Sequence, residues 1–395
     1  MKKVLFLFLF ITISMLLKGQ SNVNIIESNN RFAFDVYNKL KKTDNNLVLS
    51  PLSITSAIAM TYVGAENNTF NEISSTFYFT KDKIEISKDY FNLFGDEKKS
   101  EDSIKIYNAN SLWVQNSLAL NQDYIDINKN YFRSTLFTTD FMNDPEKSRK
   151  SINSWVQKNT NDRIKDLIKP SLIDNSTRLV LVNALYFKGA WNESFNKNNN
   201  TEEQFQVGKK DYITTTFMNK IMNVYYYSDN CVQIVDIPYT DEQYSLMVIL
   251  PKTFEKFKNI EQILNYAFYE NYINNKEMKR IDISLPKFDI ESEFDLNSTL
   301  RDLGMKESFT SAADFTGITK QERLYISQVV HKANITVDEE GTEAAAATAV
   351  MMRKAAILSP TENFIADKPF IFILRNNENN LIYFVGKILN PNEIK

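Results

Sequence analysis

The chain has 395 residues, 43% hydrophobic and 24% charged, a composition typical of globular proteins and a length that can bury a large core. Its net charge is −3 and its pI about 5.6, with acids and bases interspersed, which excludes the basic face of a nucleic-acid binder. One histidine, His331, and one cysteine, Cys231, exclude internal disulfides, CxxC metal sites and two-histidine metal sites.

The N-terminus reads MKKVLFLFLFITISMLLKGQS, with Lys2 and Lys3 ahead of an apolar stretch from Val4 to Leu17. Residues 1–20 read as a signal peptide, too short and too terminal for a membrane span. The other reading is an uncleaved N-terminal anchor, because Leu17 does not suit the small-residue cleavage rule. The mature chain, 21–395, is then expected to be secreted, or periplasmic or cell-surface in a bacterium, without membrane contact. Six Asn-x-Ser/Thr sequons (Asn67, Asn175, Asn192, Asn199, Asn297 and Asn334) carry little weight in so asparagine-rich a chain.

Apolar residues at helical spacing in NIIESNNRFAFDVYNKLKK predict a first helix. In NLVLSPLSITSAIAMTYVGA, Ser50 is an N-cap and Pro51 sits at the first helical position, opening a helix apolar nearly all round. Asp123–Phe132 and Glu146–Leu167 read as amphipathic helices. IKIYNANSLWVQ and RLVLVNALYFKGAW read as strands rich in β-branched and aromatic residues. Residues 203–251 are strand-rich, and Phe254–Asn275 reads as helical. IDISLPKF is a strand, and LNSTLRDLGM is a short helix closed by Gly304. LYISQVVHKANITV, KPFIFILRN and NLIYFVGKIL make the C-terminal part mostly strand. Nine glycines and nine prolines, with no repeat and no linker, point to one large mixed α+β domain rather than two or three.

Catalytic signatures are missing. A Ser/His/Asp triad needs His331, which lies in the strand pattern VVHKANITV with no nucleophile elbow nearby. The bland reading of His331 is a satisfied core residue, and that of Cys231 a buried structural cysteine. Phosphate-binding glycine loops and calcium loops are absent. The stretch EEGTEAAAATAVMMRKAAILSP, Glu339 to Pro360, reads by itself as a surface helix or a linker between two strands.

From residue 25 to 395 the chain resembles a serpin. NLVLSPLSITSAIAMTYVGA, NALYFKGAWNESF, ISLPKFDIESEFDLNSTLRDLGMKESFTSAADFTGIT, LYISQVVHKANITVDEEGTEAAAAT and FIADKPFIFILRNNENNLIYFVGKILNP carry the match in order along the sequence. The resemblance implies a single domain of three β-sheets and eight or nine helices, with an exposed reactive loop at about 339–363. It implies an inhibitor, not an enzyme. The loop is cut by a serine protease, inserts as a central strand and traps the protease covalently. Cysteine proteases are a second class of target. A monomer without cofactor, metal or nucleic acid is implied.

Loop insertion sets demands on the side chains. Alternate residues of a central strand enter a tight layer beneath the sheet, where bulk, charge or proline would block entry. If the even-numbered residues face inward, Thr342, Ala344, Ala346, Thr348, Val350 and Met352 are all small or apolar, and Glu343 and Arg353 face outward. Gly341 is the flexing point and Glu339 opens the hinge. The resemblance further places Ser50, Ser53, Asn183 and His331 in a polar "shutter" beneath the sheet. It places Trp191, Lys287 and Glu339 in the "breach" where the loop enters, with a Lys287–Glu339 ion pair holding the sheet top closed. Counting from the hinge puts the cut at Ala355–Ala356, suited to elastase-like proteases. A loop one residue shorter puts it after Lys354, suited to trypsin-like ones, and Arg353 is a third candidate. Counting back from Pro369-Phe370 gives Leu358–Ser359 instead. The alternative function is a non-inhibitory serpin acting as carrier, chaperone or store.

Overall fold

A computed structural model describes residues 24–95, 104–132, 135–342 and 362–393. In chain order the helices are α1 (Ile25–Leu40), α2 (Pro51–Tyr62), α3 (Asn67–Phe77), α4 (Lys83–Gly95), α5 (Gln122–Tyr131), α6 (Pro145–Asn159), α7 (Phe257–Ile263), α8 (Tyr266–Asn275) and α9 (Asn297–Leu303). The strands are β1 (Leu47–Leu49), β2 (Ile104–Gln115), β3 (Thr135–Thr139), β4 (Leu179–Ala190), β5 (Thr201–Gln206), β6 (Tyr212–Ser228), β7 (Val232–Pro238) and β8 (Tyr244–Pro251). They continue with β9 (Glu277–Pro286), β10 (Phe288–Asp295), β11 (Gln328–Val337), β12 (Gly341–Thr342), β13 (Glu362–Ile365), β14 (Phe370–Asn376) and β15 (Ile382–Ile388).

Local chemistry explains where several elements begin and end. Ser50 caps α2, its hydroxyl accepting from the Ser53 backbone N–H at 3.3 Å with Pro51 following, and all twelve residues of the helix are buried. The helix expected over Glu146–Leu167 stops at Asn159. There the Thr160 hydroxyl donates to the Val156 carbonyl (2.8 Å) and accepts from the Ile164 N–H (3.1 Å). Asn161 and Asp162 then turn the chain with φ of 52° and 63°. The helix expected over Phe254–Asn275 breaks at Asn265, whose side chain accepts from the Phe268 N–H at 2.9 Å and starts α8 anew. LYISQVVHKANITV pairs as a strand only from Gln328 onward. Cys231, expected to be buried, is exposed in the turn between β6 and β7, where the Asp229 carboxylate accepts from its backbone N–H at 2.7 Å.

The strands form two hydrogen-bonded networks. One has nine strands in the path β1-β15-β14-β8-β7-β6-β9-β13, with β5 added on β6. The second and third sheets implied by the resemblance are joined in it, because the long β6 pairs with β5 and β9 and, at its end, with β7. The other has six strands in the order β10-β11-β12-β4-β2-β3. Its central strands are buried on both faces. Leu179, Leu181 and Leu185 of β4 enter the main core. Val180, Val182 and Val330 pack on the other face with Ile152 and Val156 of α6.

A buried ion pair ties the nine-stranded sheet to α8. Arg375 of β14 is fully buried; its Nη2 donates to Asp236 of β7 at 2.5 Å and its Nη1 to Asn380 Oδ1 at 2.8 Å. Lys276, just past α8, donates to the same carboxylate at 3.1 Å. Burial alone would raise the Asp236 pKa, but Arg375 and then Lys276 outweigh it and hold the carboxyl below its ordinary range. Replacing one partner strands a buried charge. Arg375→Met is therefore predicted to cost about 3–5 kcal/mol in urea-unfolding stability, and the double variant with Asp236→Asn is predicted to recover part of that loss.

Candidate functional site

The six-stranded sheet contains a seam. β4 and β11 run parallel and pair from Val180–Gln328 to Leu185–Ala333. Above that level they part, and β12 lies between them: Thr342 pairs with Val337 on one side and Gly189 on the other, and Gly341 with Ala190. Gly341 and Thr342 of the expected reactive loop are thus already a strand of this sheet.

The geometry at Gly341 requires glycine. Its φ is +147°, and a Cβ there would sit 2.1 Å from the Gly189 carbonyl oxygen and 2.8 Å from the Ala190 Cα. Thr342, the described member of the inward series, has no exposed surface. Its hydroxyl is 2.6 Å from that of Tyr239, so the buried polar group is satisfied. Tyr239 is itself clamped, stacked on Trp191 at 4.5 Å and edge-on to Phe187 at 5.0 Å.

Trp191, Lys287 and Glu339 are brought together at this entry. The Trp191 indole donates to the Asp338 carbonyl at 2.8 Å, and the Trp191 backbone N–H to the Glu340 carbonyl at 2.9 Å. Glu339 Oε1 accepts from Lys287 Nζ at 3.1 Å and from Asn200 Nδ2 at 2.6 Å. Burial works to raise the Glu339 pKa; the Asn200 and backbone hydrogen bonds and the Lys287 charge win, and it lies below its ordinary value. Asp338 holds the turn into β12, accepting from the N–H groups of Glu340 (2.8 Å) and Gly341 (3.2 Å).

Lower on the seam, Ser50, Ser53, Asn183 and His331 also come together. His331 and Asn183 face each other across the β4–β11 ladder. His331 Nε2 accepts the Ser50 N–H at 3.0 Å, which places the imidazole proton on Nδ1. Asn183 donates to Asn110 of β2. Ser53 Oγ, Asn183 Oδ1 and His331 Nδ1 are buried without a hydrogen-bond partner among the described residues. Such a cluster has spare donors and acceptors that can be re-paired when the strands part. The hinge residues Ala344, Ala346 and Thr348 and the scissile candidates Arg353, Lys354, Ala355 and Ala356 lie outside the described residues.

Sequence reasoning missed Tyr239, Asn200 and Asn110. Tyr239 ends the strand pattern VQIVDIPY, but nothing local announces that it meets Thr342, more than a hundred residues away. Among the described residues no group of three or more His, Cys, Asp and Glu side chains could hold a metal, and no helix is long and apolar enough to cross a membrane.

A sheet whose two central parallel strands part to admit the strand that leads into a small-residue sequence is the architecture of a serpin, and the chain belongs to that family. The serpin model, described as serine protease inhibitor, matches residues 27–391. The chain is 36% identical over 388 residues to Serpin B4 of Homo sapiens, covering 93% of this chain and 100% of that one. It is 35% identical over 375 residues to the Homo sapiens leukocyte elastase inhibitor, covering 92% of this chain and 98% of that one. Among solved structures, uncleaved ovalbumin matches with a TM-score of 0.84 at 27% identity, over 93% of this chain and 100% of that one. Serpins are inhibitors of target proteases rather than enzymes.

Burial holds the His331 pKa down at about 3, so the folded protein keeps it neutral while the unfolded chain protonates it below its ordinary value of 6.5. Stability attributable to this group is intact above that value and is lost as pH falls from it toward 3, at a slope approaching ~1.4 kcal/mol per pH unit. His331→Gln is predicted to flatten stability against pH between about pH 6 and 4 by that slope relative to the parent, read from urea titrations at each pH.

Proposed function

We propose that this serpin is a suicide-substrate inhibitor of serine proteases, trypsin-like or elastase-like, that traps the acyl-enzyme by completing the insertion begun at β12. The observation that carries the reading is that Thr342 already pairs on both sides between β4 and β11, with Gly341 paired to β4 just before it. Insertion then extends an existing strand and need not nucleate a new one. The next inward positions, Ala344, Ala346 and Thr348, are small enough to follow. About a dozen inserted residues gain on the order of ten to twenty ladder hydrogen bonds, at about 0.5–1.5 kcal/mol net each. Until the loop is cut, both of its ends are held, at β12 and at β13, and the active form persists as a kinetically trapped state. Cysteine proteases are a secondary target class. The protein acts as a monomer, outside the cell once residues 1–20 are removed.

Supporting this reading over a carrier or storage role is the hinge itself, which lacks the charge, bulk or proline that would stop insertion at inward positions. Trypsin and pancreatic elastase should each give an SDS-resistant complex and release a C-terminal peptide whose mass begins it at Lys354, Ala355 or Ala356. Cleavage without complex would sink the inhibitory reading. Thr342→Arg, which puts a charge into a position with no exposed surface, is predicted to turn the protein into a substrate that is cut and releases active protease.

A further inference from the structure

The sequence that would insert does not specify its own register. Side chains of a strand alternate between faces, so register is read from differences between neighbours, and the four alanines Ala344 to Ala347 offer none. A slip by one residue is penalised all the same, because it turns Glu343 and Arg353 inward. A slip by two keeps both of them outward and brings Ala344 opposite Gly189 in place of Thr342. What distinguishes Thr342 from Ala344 is a hydroxyl, and the structure holds a partner for it. Among the described residues the hydroxyls of Tyr239 and Thr342, 2.6 Å apart, are each other's only hydrogen-bond partners. Neither residue has exposed surface, and the Tyr239 ring is walled by Phe187 and Trp191. Gly189, across from Thr342, leaves the room: a Cβ there would sit 2.8 Å from the Phe187 ring and 3.1 Å from the Tyr239 ring. Burial pushes the Tyr239 phenol well above its ordinary range, so its proton stays in place at any working pH.

Tyr239 is fixed independently of Thr342. Its backbone N–H donates to the Tyr244 carbonyl at 2.9 Å, and the hydroxyl of its neighbour Thr240 donates to the Ala190 carbonyl of β4 at 3.1 Å. The Asn192 N–H adds a bond to the Pro238 carbonyl at 3.0 Å. A pair of hydroxyls adds little stability over an apolar pair of the same shape, but it makes any residue without a hydroxyl costly at that position. Gly341 works to the same end by shape, since its φ of +147° and its close approach to the Gly189 carbonyl exclude the Glu343 that a slip by two would put there. We propose that Tyr239 is a positioning residue for loop insertion, its hydroxyl holding that of Thr342 so that the strand grows from a start in the register that keeps the small residues inward. This rests on the inhibitory reading for its setting, but it concerns the pace of events after the cut. A strand that starts in register inserts in one pass. One that starts two residues out must withdraw and begin again, while the acyl bond to the protease stays open to water.

The test uses the full chain, cut by enough trypsin that cleavage is not limiting. Tryptophan fluorescence then follows insertion directly, because Trp191 stacks on Tyr239 at the entry, and it needs no covalent complex. Tyr239→Phe, which keeps the ring, should slow the fluorescence change about 10-fold. It should also raise the number of inhibitor molecules consumed per covalent complex, with the rate of first encounter with trypsin unchanged. Thr342→Val should slow insertion as much, and the double variant no more than either alone, because the two hydroxyls act as one pair. Thr342→Ser should recover most of the rate that Thr342→Val loses, and this comparison carries the test if Tyr239→Phe does not fold. Given time to finish, the cut forms of parent and Tyr239→Phe should gain equally in Tm. A smaller gain in Tyr239→Phe would make the bond a stabiliser of the final strand rather than a guide to it, and overturns the proposal. An unchanged insertion rate overturns it as well, as does a double variant slowed by the product of the two single effects. Slowed insertion in the variants with no covalent complex from any form would support the role of Tyr239 and refute the inhibitory reading. Normal complex with unchanged insertion would do the reverse, so the two can fail separately.

Discussion

The structure depends on one incomplete pairing. β4 and β11 share a parallel ladder over their lower halves and none over their upper halves. A central strand with unpaired backbone groups is costly, and the protein limits that cost with two residues of β12, which supply partners to both neighbours at once. The seam is therefore neither closed nor empty. It is closed from below by backbone hydrogen bonds and the His331–Ser50–Asn183 cluster. From above it is entered by Gly341 and Thr342 of β12. Most of the unusual chemistry in the molecule lies along this line.

The two ends of the seam are held by different means. At the top, the contacts are strong and directional: a clamped Tyr239 hydroxyl on Thr342, a carboxylate fixed by Lys287 and Asn200, and a glycine that tolerates close backbone approach. Below, a neutral imidazole and several buried polar atoms are only partly satisfied. Firm contacts at the entry set the register in which an incoming strand starts. Loosely satisfied ones along its path lower the cost of parting the strands, since fewer hydrogen bonds must be broken first. The same division explains why His331, whose strand pattern showed no catalytic signature, sits where no substrate could reach it.

Much of this was legible in the sequence, but unevenly. β2 and β4 are long β-branched and aromatic runs, and their bounds could be read from composition. Ser50-Pro51 marks the start of α2 with local chemistry alone. The serpin resemblance named Lys287 and Glu339 as one group and Ser50, Ser53, Asn183 and His331 as another; Lys287 meets Glu339, and the four others lie together on the seam. What could not be read depends on partners far along the chain. Tyr239 meeting Thr342, Asn200 meeting Glu339 and Arg375 meeting Asp236 are set by sheet topology, which no local periodicity encodes. α3 and α4 escaped because polar residues, asparagine and serine in α3 and charged side chains in α4, dilute their apolar stripe, although Ile86, Tyr90 and Phe94 recur every four residues in α4. Cys231 was misread because a cysteine without a histidine partner was given the usual buried reading; the Asp229-Asn230 turn before it turns it outward. The α6 terminus was missed because Thr160 ends the helix with its own hydroxyl, and a threonine can equally continue one.

The central claim is that the β4–β11 seam is a slot for the strand beginning at Gly341. Amide hydrogen exchange of the intact protein and of the protein cut in its loop tests this most directly. In the intact form the upper segments, Leu185–Ala190 and Asn334–Val337, should exchange faster than the paired lower segments, Val180–Leu185 and Gln328–Ala333. After cleavage both segments of both strands should become strongly protected together with residues 343–352, as a new central strand takes up their free groups. Unchanged exchange in β4 and β11 after the cut would contradict the account.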